Sequence, residues 1–237
     1  MDALDTRTTE SAAPTSRAER HGANLRRILD AAMDVIVANG FAALSINKLA
    51  STLGFTPGAL YRYFPSKDAL LADLVAEIIE DIGERIAAAT ATSGPGQAAE
   101  ADPIAPIARA ADAWRDYART SPHRFGLIAA LLASPQIVIA EPAAALTAIG
   151  HMVKALTPLA LAFERAAVMG VLAPGDARER TLLLFAGLQG VLNLRKQAER
   201  APDQLDLDRL YAAMFDTLMR GFGRSPAPTS PPRGARR

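Results

Sequence analysis

The segment from Thr56 to Tyr63 carries several hydroxyl groups and a cation on one short predicted helix. If the apolar residues of this helix face inward, Gly58 and Arg62 point outward, with Tyr61 and Tyr63 on the flanks. Hydroxyl groups and the backbone N–H groups of a helix N-terminus bind phosphate oxygens, and an arginine reaches a phosphate or a guanine edge. A residue without a side chain also lets the backbone approach a phosphate closely. The segment therefore predicts contacts to a nucleic acid.

Two short helices joined by a tight turn must position these side chains. Ser45 is a natural N-cap for the first helix, near 46–53, and Gly54 permits the turn that follows. Pro57 suits the first position of the second helix, near 57–63. Such a pair, spanning 45–64, is a helix-turn-helix signature, and its second helix fits the major groove of DNA.

A long helix follows directly, near 66–91, and adds to the predicted interface. Ser66 is its predicted N-cap, and Lys67 at its start supplies a further phosphate contact. Lys48 on the first short helix and Arg62 on the second add positive charge to the same unit. All three cations are candidate DNA contacts.

Residues 26–71 resemble the DNA-binding domain of TetR-family (TetR/AcrR) transcriptional regulators. The matching pieces are I-L-x-A-A at 28–32, N-G-F at 39–41, L-S-I at 44–46, L-A at 49–50, G-F-T-P-G-A-L-Y at 54–61 and Y-F-P-S-K-D-A-L at 63–70. The resemblance implies that the helix at 57–63 enters the major groove. By position it also implies DNA contacts from Ser45, Thr56, Pro57, Gly58, Tyr61, Tyr63 and Lys67. Many family members have histidine where this chain has Tyr63, and tyrosine keeps a hydrogen-bond donor there.

These residues also have a purely structural interpretation. The two tyrosines can close the small core, and Gly58 can be a neutral helix position that costs about 1 kcal/mol relative to alanine. Ser45 and Thr56 serve as N-caps whether or not DNA is bound. Lys48 and Arg62 can be solvated surface charges. The functional interpretation rests on the joint occurrence of all of them at fixed offsets.

The net charge of the chain, +1, conceals an uneven distribution. Residues 20–67 hold six bases against two acids, a net charge of +4, whereas residues 68–216 have a net charge of −6. Residues 1–19 have a net charge of −2, and residues 217–237, with five arginines and no acid, have +5. A short basic unit ahead of a long acidic body favours a polyanion as its partner, and a chance distribution is the alternative.

Apolar residues recur at helical spacing along the chain, without an alternating β-branched run, so we predict an all-α protein. Pro and Gly fall between the periodic segments and delimit about nine helices. These helices lie near 22–39, 46–53, 57–63, 66–91, 104–119, 122–133, 142–170, 175–199 and 205–221. The predicted domains are a helix-turn-helix DNA-binding domain at 22–82, a ligand-binding and dimerisation domain at 83–222, and disordered tails at 1–21 and 223–237.

Several chemistries are excluded by what the sequence lacks. Without cysteine there is no disulfide, thiolate metal site or cysteine nucleophile. His21, His123 and His151 are scattered, and no phosphate loop or nucleophile elbow occurs, so we predict no metal, no cofactor and no catalysis. The N-terminus lacks the apolar region of a signal peptide, and the charge-free stretch 125–140 is too short to span a bilayer. We therefore expect a cytoplasmic protein without a membrane partner.

The acidic body is expected to bind a small molecule and a second copy of the chain. Its aromatic, histidine and methionine residues are candidates for a hydrophobic pocket, although such residues more often belong to the plain core. The candidates are Trp114, Tyr117, His123, Phe125, Met152, Phe163, Met169 and Phe185. The helices near 175–199 and 205–221 carry apolar stripes and are the expected four-helix dimer interface, with an intramolecular core as the alternative.

The resemblance implies a mechanism as well. A homodimer would hold two recognition helices in successive major grooves of a palindromic operator and block transcription. A small hydrophobic ligand in the larger domain would move the helix that begins at Ser66 and release the DNA. An all-α enzyme, or a protein-interaction module that uses the helical body, is the alternative.

Overall fold

The computed structural model describes residues 16–91, 102–133 and 138–224. The chain divides into two compact units, Met1–Pro65 and Ser66–Arg237. The DNA-binding domain predicted from the sequence extends to residue 82, inside the fourth helix, and that functional boundary stays a prediction. Most of the two predicted disordered tails lies outside the described residues.

All regular secondary structure in the described residues is helical, as the apolar periodicity predicts. The helices are α1 (Arg17–Asn39), α2 (Ile46–Leu53), α3 (Pro57–Tyr61), α4 (Lys67–Thr90), α5 (Ala105–Thr120), α6 (Pro122–Ala133), α7 (Pro142–Val168), α8 (Ala177–Leu192), α9 (Arg195–Arg200) and α10 (Leu207–Gly221). A short 3₁₀ helix, Phe41–Ala43, follows α1. Each of the predicted helices is present. Two of them need correction: the first begins earlier than predicted, and the helix predicted at 175–199 is divided in two.

The first correction concerns the start of α1, which begins at Arg17 and not at residue 22. Ser16 and Glu19 form a capping box there. The Ser16 hydroxyl accepts a hydrogen bond from the Glu19 N–H, and the Glu19 carboxylate accepts one from the Ser16 N–H at 2.6 Å. Residues 17–21, which are predicted above to belong to a disordered tail, are therefore helical.

The second correction concerns the predicted helix at 175–199. A turn at Asn193 and Leu194 divides it into α8 and α9. Asparagine is a poor helix former because its side chain competes for backbone hydrogen bonds. Apolar periodicity continues across this turn, so it gave no sign of the interruption.

The first unit has a small apolar core that presents α3 on its surface. Leu49 of α2, Leu60 of α3 and Phe64 are all buried. Gly54 turns the chain between α2 and α3 with a φ of 73°, in the left-handed region that favours glycine. Because Leu60 and Phe64 face the core, the remaining side of α3 is left to the surface.

In the second unit α4 packs most extensively against α7, then against α5. A glycine allows the close approach of α4 and α7, since a Cβ atom at Gly83 would lie only 2.9 Å from the Cβ of Ala155. α10 packs on α8 of the same chain, where a Cβ at Gly187 would lie 3.1 Å from the Sδ of Met214. Part of the apolar stripe of α10, predicted for a dimer interface, is thus covered within the chain.

The start of α4 is hydrogen-bonded to the start of α7. The Oδ2 atom of Asp68 accepts hydrogen bonds from the backbone N–H groups of Ala140 and Glu141, at 2.8 and 2.7 Å. The Ser66 hydroxyl caps α4 by accepting from the Ala69 N–H, as predicted, and donates to the Glu141 carboxylate at 2.9 Å. The first turn of α4 and the N-terminus of α7 therefore form one hydrogen-bonded unit.

Among the described helices, α7 alone is long and apolar enough to cross a membrane, judged by length and composition. Its large exposed apolar side chains lie on one face, opposite the side that is buried in the second unit. They are Leu146, Ile149, Val153, Leu161 and Val168. The high hydropathy of α7 thus comes from two apolar faces, of which the fold of the chain covers one.

Candidate nucleic-acid interface

α3 has an exposed face that the first unit does not use for its own packing. Tyr61 is 46% exposed, and Pro57, Gly58 and Arg62 are exposed as well. A Cβ atom at Gly58 would meet no atom of the described chain within 4 Å, and the residue does not have a positive φ. Neither packing nor backbone conformation therefore requires glycine at this position, and Tyr61 does not close the core.

The hydroxyl residues at the helix starts keep hydrogen-bonding capacity. Thr56 caps α3 by accepting a hydrogen bond from the Ala59 N–H at 3.2 Å, and an accepting hydroxyl retains its own hydrogen for a second partner. Ser45 occupies the N-cap position of α2, but its side chain does not make the predicted capping hydrogen bond. Lys48 is exposed on the first turn of α2. These side chains can therefore donate to an outside acceptor.

Tyr63 is half-buried and held in place by two residues of α1. Its ring stacks on the imidazole of His21, with the ring centroids 4.7 Å apart. The side-chain amide of Asn24 donates a hydrogen bond to the Tyr63 hydroxyl oxygen at 3.3 Å. Because this oxygen accepts, the phenolic hydrogen can still be donated outward. The stack was not predicted because His21 falls in the predicted tail 1–21, and the spacing of apolar residues gives no sign of the polar contact from Asn24.

Lys67 is the first residue of α4 and belongs to the second compact unit. Its side chain is half-buried, unlike the exposed Lys48. The neighbouring Ser66 and Asp68 are both engaged with the start of α7. A DNA contact from Lys67 stays a prediction from the resemblance.

The second unit contains an apolar cavity of about 70 Å³ between α4, α5, α6, α7 and α8. Three of the eight predicted pocket residues, Trp114, Met152 and Phe185, contribute to its wall. The rest of the wall is aliphatic and consists of Val75, Ile79, Ile82, Ile128, Leu131, Leu132, Ala155 and Leu156. The wall exposes no polar atom, so a water molecule inside would lack hydrogen-bond partners.

The other five predicted pocket residues lie away from this cavity. Tyr117, Phe125 and Phe163 are buried in the core, whereas His123 and Met169 are exposed to solvent. Phe125 packs against Trp114 in a T-shaped arrangement and so lies one residue behind the wall. The sequence pattern of aromatic residues did not separate the cavity wall from the surrounding core.

Tyr117 belongs to a polar cluster that joins α4, α5 and α6. The Arg124 guanidinium donates to the Glu77 carboxylate at 2.7 Å and lies 4.0 Å from Asp81. Burial, reinforced by the Asp81 carboxylate, raises the pKa of Tyr117 to about 12. The ion pairs of Arg124 therefore join α6 to α4, and Tyr117 of α5 is buried beside them as a neutral phenol.

The histidines of the chain are separated and do not form a metal site. His21 stacks on Tyr63, His123 is exposed, and the His151 Nδ1 atom lies 3.1 Å from the Glu80 carboxylate. Over residues 16–91, 102–133 and 138–224, no group of three His, Asp or Glu side chains is arranged to hold a metal ion.

The helical fold and the exposed α3 define an all-α protein with an N-terminal helix-turn-helix domain. Residues 28–74 match the family model of bacterial regulatory proteins, tetR family. The N-terminal domain is therefore similar to the DNA-binding domain of these regulatory proteins. The fatty acid metabolism regulator protein of Bacillus subtilis (strain 168) is 35% identical over 60 residues, which cover 25% of this chain and 31% of that protein. The match thus spans about a third of that relative's length.

Solved structures share the fold over most of the chain. The fatty acid degradation regulator FadR of Bacillus halodurans matches with a TM-score of 0.60 and 19% identity, covering 83% of this chain and 98% of that chain. SmeT, the repressor of the Stenotrophomonas maltophilia multidrug efflux pump SmeDEF, matches with a TM-score of 0.58 and 20% identity, covering 87% and 97%. The SmeT–triclosan complex matches with a TM-score of 0.60 and 20% identity, covering 88% and 100%. At these identities the likeness concerns the fold.

Proposed function

We propose that this chain is a cytoplasmic transcriptional repressor that binds a palindromic operator as a homodimer and is released by a small hydrophobic ligand. It acts by binding and not by catalysis. The observation that supports this proposal best is the exposed face of α3, where packing does not require a glycine at Gly58 and Tyr61 is 46% exposed. Glycine lowers the stability of a helix, and no packing contact of the first unit requires it at position 58. An exposed residue of this kind favours a role in binding an external partner.

The chemistry of this face suits the DNA backbone. Thr56 and Tyr63 each accept a hydrogen bond from within the unit and keep a hydrogen to donate to a phosphate. Arg62 and Lys48 bring positive charge, and Gly58 allows the backbone of α3 to approach closely. Ser45, Pro57, Tyr61 and Lys67 complete the proposed contact set, following the resemblance.

The proposal is tested by sequencing the DNA that the purified protein retains from a pool of genomic fragments. A retained motif with two-fold symmetry, bound with an affinity that falls steeply with salt, is the expected result. Tyr61→Phe removes one donor and should weaken binding to that motif by about tenfold, with an unchanged thermal midpoint. Tyr117→Phe makes the same chemical change at a buried residue of the second unit and is the matched control. No selective retention at low salt would refute DNA recognition.

The homodimer is proposed to form through the exposed faces of α7 and α8. Leu146, Ile149 and Val153 line one face of α7, and Leu182 and Leu183 are exposed on α8. On the same side of α8, Ala186 and Gly190 are exposed and small, which allows another helix to approach closely. An apolar face of this extent on two neighbouring helices is typical of an interface between copies. The interface predicted from the sequence consists of the helices near 175–199 and 205–221. The proposed interface retains α8 from that pair and uses α7 in place of α10.

Matched substitutions distinguish the two possible helix pairs. Leu146→Glu adds a charge at a position of α7 that is 68% exposed, so the monomer fold tolerates it while an α7–α8 interface does not. Leu210→Glu adds the same charge on α10, at a residue that is also exposed. Light scattering at micromolar concentration should give a dimer for the wild type and Leu210→Glu, and a monomer for Leu146→Glu. The reverse pattern would favour α8 and α10, and a monomeric wild type would refute the dimer.

Ligand release is proposed to act through the hydrogen-bonded starts of α4 and α7. The apolar cavity adjoins both helices, and Asp68 and Ser66 connect α4 to Glu141 of α7. SmeT is known in complex with triclosan, a precedent within this fold for a small-molecule ligand. To shift the protein almost completely between two states, the ligand must prefer one of them by about 5.5 kcal/mol.

A further inference from the structure

Two hollows of the second unit lie on either side of the same stretch of α7. One is the apolar cavity of about 70 Å³. The other is an open groove of about 800 Å³ between the C-terminal half of α7 and the first turn of α8. Met152 and Leu156 line both of them. Their side chains therefore form the partition between cavity and groove.

The size and chemistry of the cavity restrict what it can hold. An engineered apolar cavity of about 150 Å³ stays dry and binds benzene, so a smaller cavity with an apolar wall suits a short hydrocarbon segment. A complete small-molecule ligand needs roughly 300 Å³ or more and fits only if the cavity gains space. Cavity and groove together would supply that space if the partition opened.

Met152 is the part of the partition best able to move. Methionine is unbranched and has several rotatable bonds, so its side chain adapts to irregular space at low cost. Met152 is only half-buried, whereas Leu156 is buried in the core. A rotation of the Met152 side chain would join the two hollows without a shift of the α7 backbone.

We propose that the cavity binds the hydrocarbon chain of the effector, and that Met152 is the gate through which a longer chain extends into the groove. This inference rests on the proposed release by a small hydrophobic ligand and names the chemical class of that ligand. It also connects the ligand to the dimer, because Val153 and Leu182 line the groove and belong to the exposed α7–α8 face. A chain that displaces Met152 acts on the surface where the second copy binds.

Trp114 provides a direct measurement of cavity occupancy. It is the only tryptophan of the chain, it lines the cavity, and it is 4% exposed. A bromine atom quenches indole fluorescence on contact, so 1-bromobutane in the cavity should quench Trp114 in a saturable manner. Aqueous iodide, which does not enter an apolar cavity, should quench it weakly. The protein is used as the full chain and without DNA.

The gate is tested by the dependence of affinity on chain length, from bromoethane to 1-bromooctane. Each methylene group that is buried should raise the affinity about fourfold. In the wild type this increase should slow once Met152 must be displaced, whereas in Met152→Ala it should continue to longer chains. Val168→Ala removes an apolar side chain from the groove wall that does not line the cavity, and should behave as the wild type. Met152→Val serves as a milder truncation if the alanine variant does not fold.

Three outcomes would overturn the inference. Quenching that does not saturate in the wild type would mean that the cavity admits no hydrocarbon chain. Identical chain-length profiles for Met152→Ala and the wild type would mean that Met152 is not the gate. A monomer–dimer equilibrium unchanged by saturating 1-bromohexane would refute the connection to the α7–α8 face. Because no DNA is present, saturable quenching would stand even if the protein failed to recognise an operator.

Discussion

The imidazole of His21 stacks on the phenol ring of Tyr63, with centroids 4.7 Å apart and ring planes inclined by 14°. The contact joins the second turn of α1 to Tyr63, which follows α3 and is far from His21 in the sequence. Asn24, one turn further along α1, donates to the Tyr63 hydroxyl. A DNA-contacting tyrosine would therefore be preorganised by α1, which lowers the entropy lost when its hydroxyl binds a phosphate.

Replacing His21 should weaken DNA binding without removing any proposed contact. Stacked rings contribute about 0.5–1.5 kcal/mol, so His21→Ala should reduce operator affinity by roughly twofold to tenfold. His21→Phe keeps a ring at the same position and should retain most of the affinity. Fluorescence anisotropy with the retained DNA motif measures both variants. Equal losses for alanine and phenylalanine would show that the imidazole itself contributes, and not the stack.

The N-cap of a helix can be predicted from the sequence where a single side chain forms the capping hydrogen bond. Thr56 and Ser66 cap α3 and α4 as the sequence predicts, because a hydroxyl at that position reaches the N–H three residues on. The same rule predicts a cap from Ser45, yet its hydroxyl makes no capping bond. The start of α1 was missed because the capping box of Ser16 and Glu19 precedes the first apolar residues of that helix. Periodicity detects an apolar face and not a polar first turn.

The cavity wall was less predictable than the helices that form it. Trp114 lines the cavity and Tyr117, three residues on, does not, although both are buried aromatic residues of α5. Their difference depends on how α5 is rotated against α4 and α6, which a single sequence does not specify. The same holds for α7, where apolar residues on both faces hide which face the chain itself covers.

Gly83→Ala should destabilise the second unit by separating α4 from α7. The new Cβ would lie 2.9 Å from the Cβ of Ala155, and overpacking of this kind costs about 1–3 kcal/mol. Alanine regains about 1 kcal/mol in helix propensity, so we expect a net loss of up to about 2 kcal/mol in the free energy of unfolding. Gly126→Ala in α6, where a Cβ meets no atom of the described chain within 4 Å, is the control and should stabilise. Urea denaturation measures both, and a stabilised Gly83→Ala would contradict the close approach.

Asp68→Ala should loosen the start of α7 while leaving its middle unchanged. One oxygen of Asp68 accepts from the N–H groups of Ala140 and Glu141, and hydrogen bonds to a charged group contribute about 1.5–3 kcal/mol. Hydrogen exchange at these two amides should therefore accelerate by about tenfold or more. Asp112→Ala removes a surface carboxylate of α5 that pairs with Arg115 and should not affect them. Unchanged exchange in Asp68→Ala would mean that the two amides are protected by something else.

Tyr117 should make the second unit sensitive to alkaline pH. Burial and the nearby Asp81 raise its pKa from the usual 10 to about 12, so the folded state disfavours the ionised phenol. The stabilisation that follows is complete below pH 10 and is lost as the pH rises through about 12, by at most about 1.4 kcal/mol per pH unit. Tyr117→Phe has no phenol to ionise, so its free energy of unfolding should fall less across this interval.

The measurement compares urea unfolding of the wild type and Tyr117→Phe from pH 7 to pH 12. The difference in the free energy of unfolding between them should be constant up to about pH 10 and then shift in favour of the variant. Burial also raises the pKa of Tyr211, but this residue is present in both proteins and its contribution cancels. A difference that stays constant up to pH 12 would mean that Tyr117 ionises as readily in the folded state as in the unfolded chain. The cluster with Asp81 and Arg124 would then be open to solvent, contrary to the complete burial of Tyr117.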